Sequence, residues 1–360
     1  MTNGHPLPVL GLMLGDATGI GPEQCARILA DNRMQDTARL LVVGDARVFA
    51  LGMCDARADF AWRRVDAPED AAWDDPAVPL LDLHNFDPAS VPRGVMSPAS
   101  GKASGDTLAA MVELALARRL DGIVFAPLNK AALHAGGWRF NDEHQMFAHL
   151  TRHVGYFGEM NVLDDLWTSR ATSHVSLRAA LDQLTPARID AALTLADATM
   201  RAAGFTTPRI AVAALNPHGG EGGLFGRDEI DIIAPAVAAA AQRGIACKGP
   251  YPADTVFLKA FAGEFDGVLS MYHDQGQIAT KLKGFNRGVT ITAGLATLFT
   301  TPAHGTAFDI VGKGVASTGA LEQAIRLCAR LASSRRTAAR ASDNPSALST
   351  ADHESHHHAG

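Results

Sequence analysis

Short apolar runs alternate with longer stretches of helical periodicity along most of this chain. Val9–Leu14, Leu40–Val43, Gly122–Ala126, Ile210–Leu215 and Gly267–Met271 have the length and composition of buried strands. Between them lie Ala/Leu-rich segments with helical spacing, such as Thr107–Arg118. Another begins at Thr185-Pro186 and is predicted to run to about Ala203. There the threonine hydroxyl suits a helix cap, and proline at the first position has no amide hydrogen to leave unpaired. Gly204 provides the stop, because glycine tolerates the left-handed conformation that ends many helices. Repeated strand–helix alternation predicts an α/β fold with a mostly parallel sheet. The Pro-, Asp- and Ala-rich stretch Asp66–Ser100 is expected to be a surface excursion. From about Ser333 onward apolar periodicity ceases, which predicts a disordered tail over 333–360. His353, His356, His357 and His358 belong to that tail and are read as solvated, not as a metal site.

Composition narrows the function. The 360 residues suffice for two domains or one large α/β unit, and 47% apolar against 19% charged is an ordinary globular balance. A formal charge of −6 speaks against nucleic acid as a partner, which would require a basic face. No apolar run is long enough for a membrane span, and the N-terminus lacks the layout of a signal peptide. Cys25, Cys54, Cys247 and Cys328 are scattered without CxxC spacing. That argues against a disulfide framework or a structural zinc site and favours a reducing cytoplasm.

Candidate chemistry sits just past the predicted strands, where open α/β sheets place ligands. Gly15-Asp16-Ala17-Thr18-Gly19-Ile20-Gly21-Pro22-Glu23 closes the first strand and opens a helix. Its spacing is not the GxGxxG dinucleotide fingerprint, so a plain tight turn explains it as well as a binding loop does. Asn216-Pro217-His218-Gly219-Gly220-Glu221-Gly222-Gly223 follows the fourth of these runs, and its glycines suit a backbone passing close to a ligand. Met271-Tyr272-His273-Asp274-Gln275-Gly276 is too polar for core. His174 follows the same strand-end logic. His174, His218 and His273 together match a catalytic transition-metal site, with zinc first and magnesium, manganese or cobalt as alternatives. In the loop from His304 to Gly314, small residues would let an adenine and its ribose lie against main chain, and Asp309 could accept from a ribose hydroxyl.

These motifs, in this order, resemble the 4-hydroxythreonine-4-phosphate dehydrogenase family over roughly Val9 to Leu331. The resemblance rests on the GDxxGIGPE turn, the NPHxGE loop, Pro252–Thr255 (PADT), Tyr272–Gly276 (YHDQG) and His304–Ala307 (HGTA). GIGPE and HGTAxDIxGKG are also similar to isocitrate and isopropylmalate dehydrogenases. The resemblance implies two α/β/α subdomains, 1–132 plus 303–332 and 133–302, with the site in the cleft between them. It implies NAD lying against His304, Gly305, Thr306 and Ala307. It also implies a homodimer whose shared site holds one divalent metal on His174, His218 and His273, with His273 crossing from the partner. Asp254 and Lys281 match family active-site positions. Lys281 is expected to relay a proton or hold a carboxylate, with Asp254 and Asp274 orienting the site.

The departures bear on substrate. Where the family reads GHTE, this chain has Asp142-Glu143-His144-Gln145, so Glu143 and His144 take the substrate positions. Thr290 replaces a substrate-binding Asn, Phe299 falls at a phosphate-contacting Arg, and Ala303 replaces an Asp. Phenylalanine cannot supply the bidentate contacts of a guanidinium, and a carboxylate repels a dianion. The expectation is therefore metal-assisted, NAD-linked oxidation of a small hydroxy acid with loss of carbon dioxide, on a substrate without phosphate. One branch of the family, which oxidises cis-dihydrodiols of aromatic dicarboxylates such as terephthalate, offers such a substrate. A phosphate acyltransferase and a catalytically dead binding protein are the competing classes.

Overall fold

The computed structural model describes residues 6–284 and 287–343. Twelve strands among these residues form a single sheet. In chain order they are β1 (Val9–Met13), β2 (Arg39–Gly44), β3 (Trp62–Val65), β4 (Val78–Asp82), β5 (Gly122–Phe125) and β6 (Gly158–Leu163). Then follow β7 (Leu166–Arg170), β8 (Ile210–Ala213), β9 (Cys247–Tyr251), β10 (Gly267–Ser270), β11 (Val289–Ala293) and β12 (Phe299–Pro302). Their spatial order is β3-β4-β2-β1-β5-β12-β11-β6-β7-β10-β8-β9. The first six are parallel, as are the last four, and antiparallel pairing is confined to the middle, at β12–β11, β11–β6 and β6–β7.

Parallel strands require helical crossovers, and these carry the apolar periodicity read from the sequence. The helices are α1 (Gly21–Ala30), α2 (Ala46–Ala56), α3 (Pro98–Leu116), α4 (Lys130–Ala135), α5 (Glu143–Leu150) and α6 (Leu177–Gln183). They continue with α7 (Pro186–Ala202), α8 (Ala234–Gln242), α9 (Ala253–Phe261), α10 (His273–Gly284) and α11 (Gly319–Asp343). All five anticipated strands form, each within a residue or two of its expected bounds. Thr185 caps α7 by accepting from the Arg188 amide, and Gly204 beyond its end has φ +104°. Leu10, Leu12, Val42, Val124 and Leu269 are fully buried, each such burial contributing about 1.5–3 kcal/mol.

Four expectations change. Asp66–Ser100 is not simply a surface excursion, because it contributes β4 to the sheet between β3 and β2. Pro76 and Pro79 disguise a strand whose Leu80 is fully buried. The helix expected from Thr107 begins at Pro98, with the Ser97 hydroxyl capping it. Its early glycines read as loop but serve close packing, since a Cβ on Gly101 would lie 1.8 Å from the Ala132 carbonyl oxygen. The tail expected to be disordered from Ser333 is helical as far as Asp343, good helix formers extending α11. Arg335 and Arg336 tie it back by donating to the Leu295 and Leu7 carbonyls. The four tail histidines lie outside the described residues. Finally, the return to the first half of the sheet precedes residue 303, because β12 already pairs with β5.

Candidate active site

β7, β10 and β8 lie side by side and parallel, so the segments that follow them leave the sheet at one edge. This brings His174 and His273 together, their ring centroids 5.4 Å apart. Each ring is held from behind at Nδ1. Asp274 Oδ1 lies 2.7 Å from Nδ1 of His273, and Asp142 engages Nδ1 of His174. Asp142 also caps α5, its Oδ1 accepting from the Gln145 amide at 2.8 Å. Burial would raise the Asp142 pKa, but the hydrogen bonds with His174 and the Gln145 amide outweigh it and hold the carboxyl below its usual value.

His218 does not join them. It is exposed, with Phe225 as a ring neighbour at 6.1 Å. From His218 to Gly222 the backbone is left-handed throughout. Glu229 fixes this loop, accepting from the Leu215 and Asn216 amides at 2.8 and 2.7 Å and from the Asn216 side chain at 2.9 Å. Gly220 is obligatory, because a Cβ there would sit 2.6 Å from Glu229 Oε2. Among the described residues, no group of three His, Cys, Asp or Glu is placed to hold a metal ion within one chain.

His174 and His273 face a cavity of about 260 Å3 where the two halves of the sheet meet. Of the expected substrate residues, Glu143, Thr290 and Lys281 line it. His144 turns away, its Nδ1 2.6 Å from the Thr292 hydroxyl and its Nε2 3.3 Å from Glu159. Burial disfavours charge on His144, yet the Glu159 hydrogen bond and the fields of Glu159, Glu143 and Asp142 raise its pKa overall. Phe299 is not a cavity residue at all. It is 1% exposed in β12 and stacks on Phe147 at 4.0 Å in the core, so its identity carries no information about phosphate.

Several cavity residues went unremarked in the sequence. Lys130, at the start of α4 just beyond β5, pairs with Glu143 at 3.0 Å. Burial works against its charge, but Glu143 raises its pKa overall. Glu159, on β6, is held by Arg170 at 2.7 Å, both side chains under a tenth exposed. Burial would raise the Glu159 carboxyl, and Arg170 and His144 instead drive it well below its usual value. Asn161 bridges Arg170 and the Thr290 hydroxyl at 2.7 and 2.9 Å. Glu159 and Asn161, polar side chains inside strand β6, were the available signal. Lys281 lines the cavity at its exposed rim and makes no hydrogen bond or ion pair among the described residues.

Another part of the wall comes from Pro302, Ala303, His304 and Gly305. The Ile20 amide donates to the Thr306 carbonyl at 3.1 Å, locking the Gly15–Glu23 turn to the His304–Ala307 loop. Glu23 accepts from the Ala316 amide at 2.8 Å, and Gln24 donates to the Ser317 carbonyl. The turn therefore has a packing role of its own. His304 and Gly305 line the cavity, and a Cβ on Gly305 would meet nothing within 4 Å. Thr306 is buried, whereas Ala307, Asp309, Asp254 and Asp274 lie outside the cavity wall.

Paired imidazoles past the strand ends and a lysine on the helix that follows thus frame one cavity in an α/β fold. The family model described as "Pyridoxal phosphate biosynthetic protein PdxA" matches residues 36–328, and this chain belongs to that family. A Pseudomonas aeruginosa protein provisionally named 4-hydroxythreonine-4-phosphate dehydrogenase 2 is 48% identical over 332 residues, covering 91% of this chain and 98% of the relative. The D-threonate 4-phosphate dehydrogenase of Cupriavidus necator is 40% identical, covering 91% and 98%. The crystal structure of a Burkholderia phymatum 4-hydroxythreonine-4-phosphate dehydrogenase superposes with TM-score 0.76 at 38% identity, covering 91% and 99%. The relatives' shared dehydrogenase names place the chain among oxidoreductases. No helix among the described residues is long and apolar enough to cross a membrane.

Proposed function

We propose that this protein is a metal-assisted, NAD-linked dehydrogenase for a small phosphorylated hydroxy acid. The observation that carries this reading is the unpaired Lys281 ammonium in a cavity that also holds His174 and His273. Lys281 is exposed at the rim of this cavity, and a cation there with no protein partner attracts an anionic group of the substrate. Phosphate is preferred over the unphosphorylated substrate expected from sequence because relatives at 40–48% identity carry 4-phosphate names, while Phe299, a core residue, bears on neither reading. Glu143 in the cavity wall is the observation favouring a non-phosphorylated substrate, the reading matched by a terephthalate dihydrodiol dehydrogenase structure at 27% identity.

The residues fit a metal in part. A carboxylate on Nδ1 leaves each imidazole with Nε2 as its donor, the usual arrangement behind metal-bound histidine. Within one chain the pair is His174 and His273, so we assign the ligand from a second copy to His218 instead of His273. A second copy also accounts for the exposed Leu177, Leu181, Leu224, Phe225, Leu258 and Leu282, all on segments that follow β7, β8, β9 and β10. NAD fits the open main chain at Gly305, with the His304–Ala307 loop already fixed by Ile20.

When bound, the cation supplies Lewis acidity at the hydroxyl to be oxidised and NAD supplies the hydride acceptor. Lys281 holds the substrate anion, and Asp274 holds His273 in place. The ion-paired Lys130 and Glu143 close the cavity wall. Oxidation β to a carboxylate leaves a keto acid that loses carbon dioxide. Asp254, exposed in the single chain, takes part only if the second copy brings it to a cleft.

The test is NADH formation with a panel of hydroxy acids, each with and without phosphate. Turnover of the phosphorylated members supports the proposal, and turnover confined to unphosphorylated ones rejects it. His218→Ala is expected to lose turnover and bound metal while retaining its fold. Full activity in that variant would remove the metal from the reading.

A further inference from the structure

We propose that Asp142 is a positioning residue that sets the tautomer and direction of His174, so that Nε2 of this imidazole is presented to the divalent cation. The inference rests on the metal assignment above.

His174 needs such a partner. Its backbone is left-handed (φ 53°), an uncommon conformation for a non-glycine residue, and its side chain is about a quarter exposed. Left alone, the ring could rotate and either nitrogen could hold the proton. Asp142 removes both freedoms. Its side chain is only 5% exposed. Oδ1 is already committed to the Gln145 amide at the start of α5, so the carboxylate cannot swing away without uncapping that helix. Oδ2 meets Nδ1 of His174. A carboxylate only accepts hydrogen bonds, so Nδ1 carries the hydrogen; Nε2 lies 3.7 Å from Glu159 Oε2, beyond hydrogen-bond distance, and keeps its lone pair. The helix end thus becomes a rigid mount for the imidazole. Asp274 makes a similar contact with His273, but it is 72% exposed and adjacent in sequence, so solvent competes for it.

Two variants separate positioning from folding. Asp142→Asn keeps an equally good cap but not the fixed acceptor, and Asp142→Ser caps with a hydroxyl too short to reach His174. The measurements are zinc affinity of the substrate-free protein, by competition with a chromophoric chelator, and the visible spectrum of the cobalt(II) form. Melting of the metal-free protein is followed in parallel. The expected result is zinc affinity lower by roughly 10–100-fold in both variants, with an altered cobalt spectrum and unchanged melting for Asp142→Asn. Wild-type zinc affinity in both variants overturns the proposal, whether or not melting falls. His174→Ala serves as the reference. If it loses zinc while the Asp142 variants do not, only the positioning role fails. If it binds zinc as the wild type does, the metal reading fails as well.

Discussion

Behind one wall of the cavity, where His304 and Gly305 line it, the Ile20–Thr306 main-chain hydrogen bond locks the His304–Ala307 loop to the Gly15–Glu23 turn. Both segments belong to a single chain. On the other wall, His174, His273 and Glu159 are held by charged side chains, and the third histidine, His218, stands apart on an exposed left-handed loop. The first wall derives its order from backbone geometry, which tolerates most side-chain changes that leave it unobstructed. The second depends on desolvated charges, which are costly to bury singly and need every partner in place. The two sides of the cavity thus have different kinds of rigidity.

The comparison is sharpest at Arg170. Arg170→Met would leave the buried Glu159 carboxylate with only the imidazoles of His144 and His174 nearby and is expected to cost about 3 kcal/mol, measured by chemical denaturation. A loss below about 1 kcal/mol would mean that this wall does not depend on its charges.

A double variant, Leu258→Asp with Leu282→Asp, addresses completeness. It is expected to give a monomer in sedimentation analysis and to lower turnover by at least ~10²-fold, the scale of a misplaced reacting group. NAD binding should survive, because that wall needs no second copy. Retained turnover in a proven monomer would break the contrast.

Gly305→Val attacks the other wall. It should raise the KM for NAD by about tenfold, roughly 1.4 kcal/mol, and leave zinc affinity untouched. An equal fall in zinc affinity would show that the walls are not independent.

The smallest effect is expected at Glu229. Burial would raise its carboxyl, but the Asn216 hydrogen bonds lower its pKa below the usual value. A depressed folded-state pKa contributes stability that is present above the unfolded value and lost as pH falls through the folded one. Glu229→Gln should therefore remove about 1 kcal/mol at neutral pH and flatten the acid limb of the stability profile. An unchanged acid limb would mean that the loop does not depend on this carboxylate.

Much of the fold was legible because it follows from local rules. Strands such as Val9–Met13 and Gly122–Phe125 are apolar throughout, as burial on both faces demands, and the Thr185-Pro186 cap announced α7. β4 was hidden because prolines interrupt its pattern, and the start of α3 because its glycines serve contacts with residues remote in sequence. In the site, the histidines were found by their position after strands, and Lys281 by the family resemblance. Lys130, Asp142, Glu159 and Arg170 were not, since each acts through a partner on a different element.

By itself, then, the sequence determined which segments become strands and helices, and which residue types gather at the strand ends. Periodicity and capping act within a few residues, so a linear reading captures them. Only the tertiary structure decided that Phe299 is core, that His144 turns from the cavity, and that His174 meets His273 while His218 does not. Those outcomes depend on strand order and on the burial of charges, which arise only when distant parts of the chain are packed together.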